Sequence, residues 1–251
     1  MRRNAANHRK GPDRGRPRPW QHDYLHLRPI ARDLEARLAA FRASGEPLRV
    51  LDAGCGLSPY RRLFPSSALY VRVDRATEAR PDAIARAEAL PLAGDAFDVV
   101  LSTQSVQLAD DPRACGVEIA RVLRPGGKAF VTLPAAWPYD AARAEHRFGA
   151  PDLPALFPGL SVAEIVPQGG LLGFPFALAN LAVREAGIAL RRRSGAAALA
   201  YDLLATIIYL VTNAAGRLLE GLGRRGPLAA LLSHLDRRLT VNFLVVLERP
   251  R

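Results

Sequence analysis

The residues whose types and spacing suggest chemistry follow an apolar run that ends at Leu51. The chain continues through Asp52, Gly54 and Gly56 in the sequence VLDAGCG. Glycines at such a turn remove the side chains that would keep a ligand away from the backbone. The next apolar run ends at Asp74, at the spacing where a carboxylate meets ribose hydroxyls in a doubly wound fold. Together the two features predict a nucleoside-binding site.

The pattern around this turn indicates an α/β fold. Short apolar runs alternate with helical patterns, which is typical of a parallel sheet covered on both faces. We expect a strand, a glycine turn and a helix over 48–64, preceded by a helical lead-in. The helical lead-in is expected at 20–43. Further strands are expected at 69–73, 97–102, 128–133, 160–166 and 239–247, and further helices near 81–86 and at 112–123.

Four segments that occur in the same order in a known family make the pattern specific. They read VLDAGCG at 50–56, VRVD at 71–74, EALPLAGDAFDVVLS at 88–102 and EIARVLRPGGKAFVTLP at 118–134. In these segments the chain resembles the class I S-adenosylmethionine-dependent methyltransferases. The resemblance implies a Rossmann-like sheet of seven strands, mostly parallel with an antiparallel last strand, and S-adenosyl-L-methionine as the cofactor. The subgroup with this LP, FD and RVLRPGG pattern acts mostly on small molecules, including quinones, lipids and sugars.

The resemblance also implies which residues hold the cofactor. The glycine loop would lie against its methionine end, where Asp52 could accept a hydrogen bond from the ammonium group. The segment after Arg86 would lie along the adenine, and Arg86 itself stands where relatives commonly have Asp. The residues assigned to the cofactor in this way are Asp52, Gly54, Gly56, Asp74, Ala87, Glu88 and Gln104.

The segment after the strand at 128–133 contains the candidate for proton removal. In open α/β sheets, ligands bind beyond the carboxyl ends of the strands, and Glu145-His146-Arg147-Phe148 follows such an end. His146 is the candidate base, because an imidazole can take a proton from a hydroxyl near neutral pH. The alternative is a surface histidine in a charged turn. Gln107 stands where many relatives have His.

The cysteines and the aspartates predict no metal site and no thiol chemistry. Cys55 and Cys115 are the only cysteines and do not form a C-x-x-C spacing. Asp98 is expected to support the loop before its strand rather than to bind a metal. The amino terminus is basic without an apolar signal core, so we expect a cytoplasmic protein.

The net charge of +11 is concentrated at two places in the chain. Residues 1–18 carry seven basic residues and one acidic residue, and residues 184–238 carry nine Arg and four acidic residues. Residues 19–183, where the predicted catalytic core lies, have a net charge of −1. This distribution argues against a nucleic-acid substrate, which favours a basic surface at the site. Residues 1–19 are predicted to be a disordered basic tail, and 20–251 a single domain.

A helical insertion is predicted at about 168–238, between the sixth and seventh strands. Within it, residues 194–216 carry Asp202 as their sole charge. A single membrane crossing there would leave the seventh strand on the wrong side of the membrane from its sheet. The helical period instead gives an apolar face containing Leu203 and Ile207 and a polar face containing Thr206 and Asn213. Two interpretations stay open: a cap over the pocket, or attachment to an anionic membrane surface at its inner face.

The sequence therefore predicts methyl transfer to a small-molecule acceptor, at a hydroxyl oxygen of a lipid-, quinone- or sugar-type substrate. An enzyme directed at RNA or the ribosome, using the basic tail, is one alternative. A non-catalytic binding protein that keeps the fold is the other, favoured by Arg86 and Gln107.

Overall fold

The computed structural model describes residues 13–43, 47–138, 145–191, 195–223, 229–236 and 238–251, with only the backbone at 195–198. Residues 1–12 of the predicted basic tail lie outside the described residues, and residues 13–19 form turns. Two compact units emerge. The first contains Arg32–Val166 and Asn242–Arg251, and the second contains Pro12–Ala31 and Pro167–Val241.

A seven-stranded sheet is the main element of the first unit. Its strands lie in the order β3-β2-β1-β4-β5-β7-β6. The pairs β1–β2, β1–β4, β2–β3 and β4–β5 are parallel, whereas β5 and β7 are antiparallel. This arrangement confirms the predicted fold class. The strands are β1 (Arg49–Ala53), β2 (Leu69–Asp74), β3 (Ala83–Ile84), β4 (Phe97–Thr103), β5 (Leu123–Pro134), β6 (Ser161–Gln168) and β7 (Asn242–Glu248).

The central strands are continuous apolar runs because both faces of the sheet are covered. Val50 and Leu51 of β1 and Val99, Val100 and Leu101 of β4 are fully buried. The edge strand β6 is more exposed, and Gln168 is its one buried residue. The core therefore lies around β1, β4, β5 and β7, and the carboxyl ends of β1 and β4 come side by side.

The predicted helix at 112–123 is confirmed as α2 (Pro112–Val122), which follows α1 (Tyr24–Ala43) in the chain. Asp111 caps α2, since its carboxylate accepts hydrogen bonds from the backbone N–H groups of Arg113 and Ala114 at 2.9 and 3.2 Å. Pro112 suits the first helical position, where no intrahelical donor is needed. A short helix, α3 (Leu153–Leu156), precedes β6.

Two predicted helices are wrong. After β1, the stretch 54–64, all of which the structure describes, contains a 3₁₀ turn at Arg61–Leu63 and no α-helix, because Pro59 and Pro65 interrupt helical hydrogen bonding. The alanine-rich stretch near 81–86 forms β3, which pairs with the end of β2. A run that short cannot nucleate a helix by propensity alone, and pairing with β2 satisfies its backbone instead.

The predicted insertion is helical and belongs to the second unit. It contains α4 (Phe174–Arg191), α5 (Gly195–Gly223) and α6 (Ala229–Asp236). Helices α4 and α5 pack closely, since a Cβ added at Gly187 would lie 2.7 Å from the ring of Tyr201. The Tyr201 hydroxyl donates a hydrogen bond to the carbonyl of Val183 at 2.5 Å.

Candidate functional site

The glycine turn after β1 is held by the residue that ends β2. Gly54 and Gly56 both have positive φ values, +72° and +48°. The N–H of Gly54 donates to the carbonyl of Val73 at 2.8 Å, and the N–H of Gly56 donates to the Asp74 carboxylate at 2.8 Å. Asp74 also accepts from the N–H of Ala76 at 2.8 Å. The structure thus brings three predicted site residues, Gly54, Gly56 and Asp74, to one place.

The two glycines have different surroundings. A Cβ at Gly54 would lie 2.3 Å from the Cβ of Ser105, in the turn after β4. The Ser105 hydroxyl lies 2.6 Å from that of Ser102 and donates to the carbonyl of Ala53 at 3.1 Å. At Gly56, by contrast, a Cβ would meet no atom within 4 Å. Gly54 therefore allows two turns to pack together, and Gly56 exposes backbone to open space where a ligand can approach.

Asp52 lies beneath this turn. Its side chain is only 2% exposed and accepts a hydrogen bond from the Tyr70 hydroxyl at 2.7 Å. Burial raises the pKa of Asp52 to about 6, although the hydrogen bond from Tyr70 acts in the opposite direction. Burial also raises the pKa of the neighbouring Cys55 thiol to about 12, so this cysteine stays protonated at neutral pH and is not a nucleophile.

The segment assigned to the adenine is fixed by an ion-pair cluster. The Arg86 guanidinium contacts the carboxylates of Glu88 and Asp110, and Glu88 accepts from the backbone N–H of Asp110 at 2.9 Å. Although burial acts against it, the hydrogen bonds from Arg86 and the backbone lower the pKa of Glu88. Ala87 packs against the hydrophobic core. Glu88 therefore holds the loop at residue 110, and the positive charge of Arg86 is balanced by two carboxylates.

Three side-chain amides meet at the carboxyl ends of β4 and β5. Gln104 Nε2 donates to Asn242 Oδ1 at 3.4 Å, and Gln107 Nε2 lies 3.5 Å from Gln104 Oε1. Gln104 has a left-handed backbone, with φ +53°, and its N–H donates to the Thr132 carbonyl at 3.1 Å. Gln107 is 5% exposed, and its Oε1 has no hydrogen-bond partner among the described residues. A buried, unused acceptor beside a strained residue is typical of a ligand site.

The sequence prediction missed Asn242. It is the first residue of β7 and lies opposite Pro134 in the antiparallel pairing with β5. That pairing could be deduced only by aligning the two strands, since 107 positions separate these residues in the chain. An Asn at the start of an apolar strand was the one available signal.

His146 lies next to this amide cluster. Its backbone N–H donates to the Gln107 carbonyl at 2.9 Å, and its exposed ring stacks on Phe148 with centroids 6.3 Å apart. Arg147 fixes the segment by donating to the carbonyls of Trp137 and Pro138 at 2.8 and 2.9 Å. The structure therefore brings His146 to the carboxyl ends of the central strands, where an acceptor is expected. Its role as a base stays a prediction.

Asp98 is structural, as predicted. Its carboxylate accepts from the N–H of Arg49 at 2.6 Å and pairs with Arg124 at 2.8 Å, linking the starts of β1 and β5. Within the described part of the chain, no group of three His, Cys, Asp or Glu side chains is placed to hold a metal ion.

Comparison with known proteins finds similarity over the residues that include this turn. Residues 51–131 match the family model for a methyltransferase domain. A malonyl-[acyl-carrier protein] O-methyltransferase from Enterobacter lignolyticus is 39% identical over 134 residues, which cover 49% of this chain and 51% of that protein. The chain spans about half the length of the curated relatives that it matches.

Solved structures share the fold at low sequence identity. The [4+2]-cyclase SpnF has a TM-score of 0.55 and 20% identity, covering 88% of this chain and 81% of that one. Phosphoethanolamine N-methyltransferase 2 of Haemonchus contortus, solved with S-adenosyl-L-methionine, has a TM-score of 0.52 and 14% identity, covering 93% and 57%. Residues 51–131 are therefore similar to a methyltransferase domain, and the chain shares the fold of these solved structures.

The contrast between the glycines predicts different effects of the same substitution. Gly54→Ala should lower the free energy of unfolding by about 3 kcal/mol or more, because overpacking against Ser105 adds to the strain of a positive φ. Gly56→Ala should cost only about 1–2 kcal/mol, from backbone strain alone. Urea denaturation followed by circular dichroism measures both. Equal losses would contradict the packing described for Gly54.

The buried Asp52 carboxyl predicts a pH dependence of stability. Its folded pKa of about 6 lies above the unfolded value of 3.8, so the folded state binds the proton more tightly. Its contribution to stability is complete below about pH 4 and is lost as the pH rises through 6. Asp52→Asn keeps an acceptor for Tyr70 but does not titrate. Its free energy of unfolding, minus that of wild type, should therefore rise by about 2 kcal/mol from pH 4 to pH 7.5. A pH-independent difference would contradict the raised pKa.

Proposed function

We propose that this chain, whose residues 51–131 match the family model for a methyltransferase domain, transfers the methyl group of S-adenosyl-L-methionine to an oxygen of a lipid-type small molecule. The geometry at Gly56 is the main observation that supports the proposal. The backbone at Gly56 faces open space beside the carboxylate of Asp74, as a nucleoside cofactor requires. The domain match and the names of the curated O-methyltransferase relatives support the same chemistry.

The residues of the turn fit the proposed cofactor. Asp74 uses one lone pair of each oxygen for the turn, and a carboxylate has further lone pairs for ribose hydroxyls. Asp52 supplies negative charge beneath the loop, where the ammonium of a methionine moiety would be stabilised. When bound, the cofactor supplies a methyl group on a positively charged sulfur. The protein has to align that methyl group with an acceptor and exclude water.

The amide cluster of Gln104, Gln107 and Asn242 is the acceptor side in this proposal. The unused carbonyl oxygen of Gln107 can accept a hydrogen bond from a hydroxyl, and the amide groups can orient an oxygen without adding charge. His146, held beside Gln107, would remove the hydroxyl proton as the methyl group transfers. A carboxylate acceptor, as the names of the relatives indicate for those proteins, would need no proton removal.

The alternatives have less support. An RNA-directed enzyme is opposed by the near-neutral charge of residues 19–183. A non-catalytic binding protein would rest on Arg86 and Gln107. However, Arg86 is balanced by its carboxylate partners, and Gln107 adds an acceptor to the site. We place the activity in the cytoplasm, an environment that suits two buried free cysteines.

Removing the Asp74 carboxylate should weaken cofactor binding. Asp74→Ala loses charge-assisted hydrogen bonds to the ribose and the anchor of Gly56, so the Kd for S-adenosylmethionine should rise at least about tenfold in calorimetric titration. Glu164→Ala is the matched control. It removes a carboxylate on β6 that pairs with Arg37, at the edge of the sheet, and should leave the Kd unchanged. Equal Kd values for all three proteins would contradict the proposed site.

The role of His146 depends on the acceptor. With hydroxyl acceptors, His146→Ala should lower the initial rate of methyl transfer about 10²–10⁴-fold, without changing the Kd for S-adenosylmethionine. With a malonyl thioester, a carboxylate acceptor, the same variant should remain close to wild type. His234→Ala removes an exposed histidine of α6 and is the control. If the two variants behave alike with every hydroxyl acceptor, His146 is not the base.

A further inference from the structure

The helix α5 exposes its apolar face. Leu199 is 75% exposed and Leu203 is 69% exposed, and exposed apolar side chains recur at helical spacing from Leu199 to Leu222. An amphipathic helix of a soluble domain normally turns this face toward the core. The exposed face is defined by Leu199, Leu203, Ile207, Leu210, Val211 and Leu218.

The opposite, polar face of α5 is fixed inside the second unit. Asn213 is fully buried, and its Oδ1 accepts a hydrogen bond from Nδ2 of the buried Asn180 at 2.8 Å. Its Nδ2 donates to the carbonyl of Pro19 at 2.6 Å. Nearer the start of the helix, Asp202 pairs with Arg191 at 2.6 Å. Rotating α5 to hide its apolar face would break these contacts, so the exposure is built into the fold.

The exposed face is large enough to bind a surface. From Leu199 to Leu218 it extends about 28 Å along the helix axis. Monomeric soluble proteins rarely leave a continuous apolar area of this extent facing water. The part of the helix from Leu199 to Gly223 is long and apolar enough to cross a membrane. Only 17% of its most apolar 18-residue segment is buried.

A crossing does not fit the topology. The strands β6 and β7 flank the insertion in the chain and belong to the same sheet. A single crossing by α5 would leave β7 across the membrane from β5, with which it pairs along its whole length. The apolar face can instead lie in the plane of a membrane interface, because the polar face already has its hydrogen-bond partners in the protein.

The charges around the helix select the kind of membrane. Arg191 to Arg193 precede α5, Arg217 lies within its last two turns, and Arg224 and Arg225 follow it. Residues 184–238 carry nine Arg and four acidic residues. An excess of basic residues in the sequence before, within and after the helix favours anionic lipid headgroups over neutral ones. The same charges oppose contact between the faces of two copies.

We propose that the exposed face of α5 binds an anionic lipid bilayer, with its arginine-rich ends on the headgroups. This attachment does not depend on the chemistry of methyl transfer. It would hold the protein at the inner face of the membrane, in the phase where a lipid-type acceptor dissolves.

Sedimentation with lipid vesicles tests the proposal on the full chain. Wild type should bind vesicles containing phosphatidylglycerol at least tenfold more tightly than vesicles of phosphatidylcholine alone. Leu203→Glu combined with Ile207→Glu should lose at least tenfold of that binding. The control, Leu69→Glu combined with Val117→Glu, changes exposed apolar residues of the first unit and should stay within twofold of wild type. Circular dichroism should show all variants folded, because the substituted side chains face solvent.

Three results would overturn the proposal. Wild type could fail to bind phosphatidylglycerol vesicles even at low salt. The Leu203→Glu, Ile207→Glu variant could bind as tightly as wild type, in which case the basic residues alone account for binding. Sedimentation velocity could instead show a wild-type dimer that this variant dissociates, which would make the face an interface between two copies.

Discussion

The hydrogen bond between the N–H of Gly56 and the carboxylate of Asp74 joins the ends of β1 and β2. It can form only because the backbone turns through two positive φ values and because Gly54 admits Ser105 against its α-carbon. After the turn, the described residues 54–64 form a 3₁₀ turn at Arg61–Leu63 in place of the expected α-helix. The cofactor binding proposed at this place depends on the close approach that Gly56 allows and on the carboxylate of Asp74, and both are positioned by that hydrogen bond.

Much of the first unit could be predicted from its sequence. The buried strands are continuous apolar runs, and Asp111-Pro112 marks the start of α2. The features that could not be predicted depend on contacts between residues that are far apart in the sequence. Asn242 joins Gln104 only because β7 pairs with β5, and β3 forms because the end of β2 offers a partner to a stretch with helical composition. Local propensity contains no information about either partner.

The second unit shows a different limit. The helical period correctly separates the apolar from the polar residues of α5, but periodicity does not specify which face is buried. Asn180 and Asn213 decide this, because Asn213 accepts a hydrogen bond from Asn180 and donates to the carbonyls of Pro19 and Gln21 inside the unit. Burial of an unpaired amide would be costly, so the polar pair fixes the orientation and leaves the leucines exposed. The cap interpretation of this insertion stays a prediction.

Methylation of a small molecule is the activity that we propose for this chain. The direct measurement incubates the full chain with S-adenosylmethionine labelled in its methyl group and a cell extract, and then separates organic-soluble molecules, RNA and protein. We expect label to enter the organic-soluble fraction and Asp74→Ala to abolish this transfer. Label found only in RNA or only in protein, or equal labelling by Asp74→Ala, would contradict it.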